Sequence, residues 1–313
     1  MPEALAILAA RRTPIGAFQG ALSSVTATQL GTVAAKAALA DSGLGPDAID
    51  EVIFGCVLPA GLGQAPARQA AVGAGVALDV PATTINKMCG SGMKAVMMGA
   101  DQIRAGSARF VLAGGLESMS NAPYLLPKAR GGYRMGHGEI YDHMFYDGLQ
   151  SPWDGKAMGC FADATSAKYG FTRDHQDAFA AESVRRAQRA VNDGDFAAEI
   201  APVSIRTRKG EQLVEQDETP FTVDVAKIPN LKPAFNKDGT VTAASSSSIS
   251  DGAAAVVLAS EAAAAAAGLK PIARLVAYAS HAQAPPFTLT RSCGSPRSFM
   301  AAIATHANAS LIS

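Results

Sequence analysis

Short apolar runs, each closed by glycine, proline or charge, alternate along this chain with stretches whose apolar residues recur every three to four positions. Leu5 to Ala10 is the first such run, and Arg11-Arg12-Thr13-Pro14 breaks it, predicting a buried strand and a turn. Over 28–41, Leu30, Val33, Ala34 and Ala37 share one helical face, and Gly43 and Gly45 supply stop signals. Strands are predicted over 51–57 and 82–85. A helix follows over 92–104, with Met93, Val96, Met97, Ala100 and Ile103 at helical spacing and Gly106 as its C-cap, then a strand over 109–113. Strands alternating with helices imply β-α-β units and a mostly parallel sheet covered on both faces.

After Gly114-Gly115 the pattern changes. Residues 119–170 are rich in Pro, Gly, Tyr and Met with little periodicity, so an excursion from the sheet is expected there. Thr172 is placed to cap a helix reaching about Val191, with Phe179, Ser183, Ala187 and Ala190 on one face. The stretch 204–240 is charged and turn-rich. Ala254 to Leu258 re-enters a core strand, Ser260 to Ala267 is an Ala-rich helix closed by Gly268, and Arg274 to Ala279 begins another strand. Beyond Pro286 no period of either kind persists, and such a tail is expected to fray.

Composition narrows the classes. Among 313 residues, 27 lysines and arginines balance 27 aspartates and glutamates, with no basic stripe, which argues against a nucleic-acid partner. No apolar run approaches a membrane-spanning length, and the first residues carry no basic segment, so neither a membrane span nor a signal peptide is expected. Cys56, Cys89, Cys160 and Cys293 lie far apart without metal-ligand spacing. Free thiols in a reducing, cytoplasmic setting follow, each either inert packing or a nucleophile.

Cys89 stands where a strand ends and a helix begins, beside Gly90 and Gly92. A helix N-terminus presents unpaired N–H groups and a partial positive charge that favour a thiolate. The glycines let a thioester approach the sulfur, and the Cys89 N–H is placed to help hold an oxyanion. This turn alone does not separate a nucleophile from a buried structural cysteine. Ser91-Gly92-Met93-Lys94 also fits the Ser-x-x-Lys pattern of penicillin-binding hydrolases, but no Lys-Thr-Gly follows.

The run Asn86-Lys87-Met88-Cys89-Gly90-Ser91-Gly92-Met93-Lys94-Ala95 resembles the nucleophile motif of the thiolases, the acetyl-CoA acetyltransferase group. Gly114-Gly115-Leu116-Glu117-Ser118-Met119-Ser120, Leu231-Lys232-Pro233-Ala234-Phe235, Gly239-Thr240-Val241-Thr242-Ala243 and Ser250-Asp251-Gly252-Ala253-Ala254 resemble further thiolase segments in the same order. The likeness runs from residue 4 to about 284. It implies an α/β thiolase-like core, a mixed sheet covered by helices with an inserted loop domain, and ping-pong acyl transfer between CoA thioesters through an acyl-cysteine on Cys89. No metal and no separate cofactor is implied, because CoA is carried on the substrate. By the same resemblance, Leu149 and Met158 line the pantetheine tunnel and Phe235 packs near the adenine end. Ala243 and Ser247 contact the pantetheine amides, and Ala157 stands where family members often carry histidine.

The resemblance divides the chain into a first core domain (1–118 with 249–271), a loop domain (119–248) and a remnant of a second core with an atypical tail (272–313). It implies a homo-oligomer, dimer or tetramer, with the Tyr133 to Tyr141 region as intersubunit loop. Thiolases also carry Asn-Glu-Ala-Phe, Gly-His-Pro and Cys-x-Gly-Gly runs downstream, and none occurs in these 313 residues. His137, His281 and His306 are read as loop or surface residues, and Cys293 lacks the glycine pair. Two expectations follow. The tail reflects a frame change or premature end, checkable by translating the downstream DNA in the other frames. Alternatively, the chain is a catalytically impaired CoA-binding or assembly subunit.

Overall fold

The computed structural model describes residues 4–208, 210–280 and 282. In chain order the elements are β1 (Leu5–Arg12), β2 (Gly16–Ala17), α1 (Ala27–Ser42), β3 (Glu51–Gly55), α2 (Pro66–Gly73), β4 (Ala82–Ile85), α3 (Ser91–Arg104) and β5 (Phe110–Ser118). There follow β6 (Tyr124–Leu125), β7 (Tyr141–Asp142), α4 (Met158–Tyr169), α5 (Arg173–Asp193), β8 (Val203–Thr207), β9 (Gly210–Val214), β10 (Ser250–Ser260), α6 (Glu261–Ala266) and β11 (Ala273–Leu275).

Local chemistry sets the helix ends. Thr26 Oγ1 accepts from the Gln29 N–H while the Gln29 side chain accepts from the Thr26 N–H, a reciprocal cap for α1, which closes on left-handed Gly43. Thr172 caps α5 as its sequence predicts, and Ser260 caps α6.

One mixed sheet runs in the order β11-β1-β10-β5-β3-β4, with β2 paired to β10. Only β3–β4 and β3–β5 are parallel. β10 lies antiparallel to both β1 and β5, so the mostly parallel sheet read from local alternation is corrected, and the thiolase-like mixed sheet is what the chain forms. Helices cover both faces. Ala34, Ala35 and Ala38 of α1 pack with Ala67, Ala70 and Ala71 of α2 over Leu8, Phe54, Leu112 and Val257. Across the sheet, Ala95, Ala100 and Ile103 of α3 pack on Leu5, Ile53, Val111 and Leu258. Alanine dominates because it lets helix backbones settle close to the strands.

Strand β5 does not stop at Ala113. It runs through Gly114 and Gly115 to Ser118, because the glycines are a packing requirement. A Cβ at Gly114 would lie 2.1 Å from the Ala254 carbonyl oxygen, and one at Gly115 would lie 3.3 Å from the Gly92 Cα.

The segment between β5 and β10 is more ordered than its composition implies. It holds α4, within the stretch read as irregular, and the β8–β9 hairpin, within the stretch read as charged turns. Val203 and Ile205 of β8 bury against Leu22, Val25 and Leu30. Phe179 is 79% exposed, so the predicted inner face of α5 is corrected to one through Asp177, Ala180 and Val191. Met93 of α3 is likewise open at 64%. This segment is tied to β1 by Arg12, which donates to Glu199 (2.6 Å) and to both oxygens of Asp217 (2.7 and 3.0 Å) while stacking 5.0 Å from the Phe196 ring. The tail beyond Pro286, with Cys293 and His306, and His281 before it, lie outside the described residues.

Candidate active site

The turn between β4 and α3 presents Cys89. Met88 sits at φ 52°, a left-handed conformation that costs a non-glycine residue about 1 kcal/mol or more unless neighbours impose it. Here they do. Asn86 Oδ1 accepts from the Met88 N–H (2.9 Å), and the Met88 carbonyl accepts from the Ser91 N–H (2.9 Å) and the Ser91 hydroxyl (2.5 Å). Ser91 Oγ in turn accepts from the Lys87 N–H at 2.8 Å. With only 4% of its surface exposed, Ser91 is the clip of this turn, which removes it as a hydrolase nucleophile.

Glycines let the turn descend onto the sheet. A Cβ at Gly55 would lie 2.4 Å from the Ser91 Cβ, and Gly92 rests against Gly114 and Gly115. The result is an exposed Cys89 at the N-terminus of α3, whose first turn carries no acidic residue. The positive end of the helix is therefore not cancelled locally.

Cys89 opens into a cavity of about 440 Å³, a size suited to a small-molecule arm. Its wall includes Val57, Leu58, Leu116, Gly148 and Leu149, with two acidic residues, Glu117 and Asp251, also among the lining. Glu117 accepts from the Val57 N–H (2.8 Å) and the Leu58 N–H (3.0 Å), and the Cys56 thiol reaches it at 3.6 Å. Burial pushes the Glu117 carboxyl above its usual range against the pull of those two N–H donors. Burial, and then the Glu117 charge, carry the Cys56 thiol up to about 12, so Cys56 stays a thiol. Asp251, fully buried on β10, accepts from the Ser120 N–H (2.9 Å) and the Ser118 hydroxyl (3.3 Å) through Oδ1, and its Oδ2 has no partner among the described residues.

The residues singled out from sequence fall into two groups. Cys89 and Leu149 line the same cavity. Met158 begins α4, and the Phe235 ring lies over the neighbouring Gly159, where an added Cβ would be 2.2 Å from it. Ala243 and Ser247 are exposed on the loop before β10. Ala157 occupies the N-cap of α4 without a side-chain cap. The second group is organised by Asp163, a residue the sequence did not flag. Its buried carboxylate accepts from the N–H groups of Thr240 and Val241 (2.9 Å each) and from Asn236 Nδ2 (2.7 Å), pinning the Phe235 loop to α4. Glu117 and Asp251 lay inside motifs quoted for the family likeness, where a charge amid apolar and glycine positions was the available signal, and Ser91 was noted only as a rival nucleophile. Among the described residues no group of three or more His, Cys, Asp or Glu side chains forms a metal cluster, and no helix is long and apolar enough to cross a membrane.

Comparison with known proteins agrees with this arrangement. A family described as the thiolase N-terminal domain matches residues 5–262. An acetyl-CoA acetyltransferase of Pseudomonas aeruginosa is 49% identical over 276 residues, which cover 88% of this chain and 70% of the relative. One from Escherichia coli is 48% identical over 276 residues, with the same coverage. Among solved structures, an acetyl-CoA acetyltransferase from Syntrophomonas wolfei superposes with a TM-score of 0.85 at 39% identity, over 88% of this chain and 69% of that one. The Acat5 thiolase from Ascaris suum, solved in complex with coenzyme A, superposes with a TM-score of 0.83 at 42% identity, over 88% and 70%. With its nucleophile turn, mixed sheet and sequence likeness together, the chain belongs to the thiolase family.

Proposed function

We propose that this chain performs thiolase-type acyl transfer between acyl-CoA thioesters, with Cys89 as the acyl acceptor. The Cys89 sulfur attacks the thioester carbonyl carbon. The tetrahedral oxyanion collapses with release of CoA as its thiol, and the acyl group remains on Cys89. It then passes back to CoA, whose thiol proton returns to Cys89, or to the α-carbon of a second acetyl-CoA, where the α C–H bond breaks and its proton leaves Cys89 as the free thiol. The observation that carries this reading is the clipped, left-handed Met88 turn, which sets an exposed Cys89 at an uncompensated helix N-terminus and at the mouth of a cavity. The Ser91 N–H is taken by the Met88 carbonyl, but those of Gly92 and Met93 have no partner among the described residues, and such open first-turn groups favour an anion. No histidine lines the cavity among the described residues.

In this reading Leu149 and Met158 hold the pantetheine arm and Phe235 packs near the adenine end, with Ala243 and Ser247 at the pantetheine amides. CoA enters as substrate, and no separate cofactor is needed. Residues 1–118 with 249–271 act as the first core domain, because β10 completes the sheet begun by β1 to β5, and 119–248 act as the loop domain. The free thiols Cys56, Cys89 and Cys160 suit a reducing, cytoplasmic compartment. A homo-oligomer, dimer or tetramer, is favoured by β4, which ends the sheet as an edge strand, and by Tyr133, Met135 and Ile140, exposed apolar side chains between β6 and β7. The test is turnover of acetoacetyl-CoA with CoA by the purified chain. Production of acetyl-CoA that disappears in Cys89→Ala supports the reading, and equal rates in both proteins overturn it.

A further inference from the structure

Between β7 and α4 the chain forms one π-helical turn, Met144–Leu149, that delivers Gly148 and Leu149 to the Cys89 cavity. Wide turns of this kind hold only where surrounding contacts impose them. The residue that opens this one, His143, is 5% exposed and is unused by the acyl-transfer chemistry above.

His143 Nδ1 lies 2.6 Å from Asp147 Oδ2, one turn on. Its Nε2 accepts from the Ala60 N–H at 3.4 Å, and the backbone N–H of His143 donates to the Pro123 carbonyl at 3.1 Å. The Ala60 bond requires a lone pair on Nε2, so the proton sits on Nδ1 and is donated to Asp147. The loop after β3 is thereby gripped from two sides. Glu117 of β5 takes the N–H groups of Val57 and Leu58, and His143 takes that of Ala60. Between these grips the Gly148 backbone packs on Leu58, whose Cδ2 would be 3.4 Å from a Cβ added there.

We propose that His143, oriented by Asp147, is a positioning residue. It fixes the Leu149 wall of the thioester cavity relative to Cys89 by latching the π-turn to the loop after β3. Protonation of the imidazole removes the acceptor that Ala60 uses. The ionisable groups facing it are Asp147 on its own turn, Glu117 on β5 and, through Glu117, Cys56 after β3. The inference rests on the proposed function, in that Leu149 is taken to contact the CoA thioester.

The experiment measures the Kd for CoA and the rate of Cys89 alkylation by iodoacetamide in the full chain and in His143→Ala, His143→Gln and His143→Asn. Glutamine places a carbonyl oxygen near the Nε2 position and can still accept from Ala60. Asparagine reaches only the Nδ1 position. The expected result is CoA binding weakened about tenfold in the Ala and Asn variants and restored to within about threefold of wild type in Gln, with alkylation within about twofold throughout. Should His143→Ala fail to fold, the Gln and Asn pair decides alone. Equal CoA affinity in all variants overturns the latch and leaves the proposed function standing. Failure of the unsubstituted chain to bind CoA overturns the proposed function, and the latch with it.

Discussion

Cys56 and Cys89 follow the neighbouring parallel strands β3 and β4 yet receive opposite surroundings. Cys56 is buried next to the Glu117 carboxylate, and both conditions oppose a thiolate, which is why its pKa rises to about 12. Cys89 is exposed, with glycines around it and a helix N-terminus behind it. Iodoacetamide applied to the folded protein at neutral pH is therefore expected to modify Cys89 and to leave Cys56 untouched until denaturant is added. Peptide mass spectrometry reads this directly, and labelling of Cys56 before Cys89 would contradict the assignment. Ser91 supports the same turn with one accepted and one donated hydrogen bond to backbone. Ser91→Ala leaves the Lys87 N–H without its partner and removes one of the three bonds that hold Met88 left-handed. Denaturant melts are expected to show a loss of about 1–3 kcal/mol, with slower acylation of Cys89. Glu117 adds a pH signature. A carboxyl raised by burial stabilises the fold while protonated, so its contribution is complete below the ordinary carboxylate range and is lost as pH rises through its raised folded value.

The elements legible in the sequence were those with local signatures. The α1 face and its glycine stop, the Thr172 cap, the Ala-rich helix near Ser260 and the helix after Cys89 all formed within a residue or two of where spacing put them. Helix α4 escaped notice because its run of Ala, Cys, Phe, Asp, Thr and Ser has little apolar contrast between faces, and its order comes from Asp163 holding the loop 236–241. The β8–β9 hairpin was hidden because only Val203 and Ile205 mark its buried side amid charge. Exposed Phe179 shows the converse, an aromatic at helical spacing that the fold turns outward. At this scale Asp163→Ala is the informative change. It strands two backbone N–H groups and the Asn236 amide, and chemical denaturation is expected to show a loss of about 3 kcal/mol. CoA affinity is expected to fall with it, because the Phe235 loop is released. Unchanged stability would show that α4 orders this loop by packing alone.

Across the whole molecule, the cavity exists because β10, far along the chain, enters between β1 and β5 and brings Asp251 to the end of the sheet where the Cys89 turn arrives. No local periodicity reports that crossing. β10 runs against β1 and β5, while β1, β3, β4 and β5 keep the common direction that β-α-β alternation implies, and the motif-level likeness, which spans long separations, carried the mixed sheet correctly. The loop segment is locked to this core through Arg12. Burial works against the Arg12 charge, yet the carboxylates of Asp217 and Glu199 raise its pKa. Arg12→Ala leaves Asp217 buried without its cation, and a loss of about 3 kcal/mol is expected, read as a lower denaturant midpoint. The central claim is that all of these contacts serve an acyl acceptor at Cys89. Intact-protein and peptide mass spectrometry after brief incubation with acetyl-CoA tests it most directly. One acetyl mass is expected on the peptide carrying Cys89, sensitive to hydroxylamine and lost in Cys89→Ala. An unmodified Cys89, or an acetyl group on another residue that persists in Cys89→Ala, would contradict it.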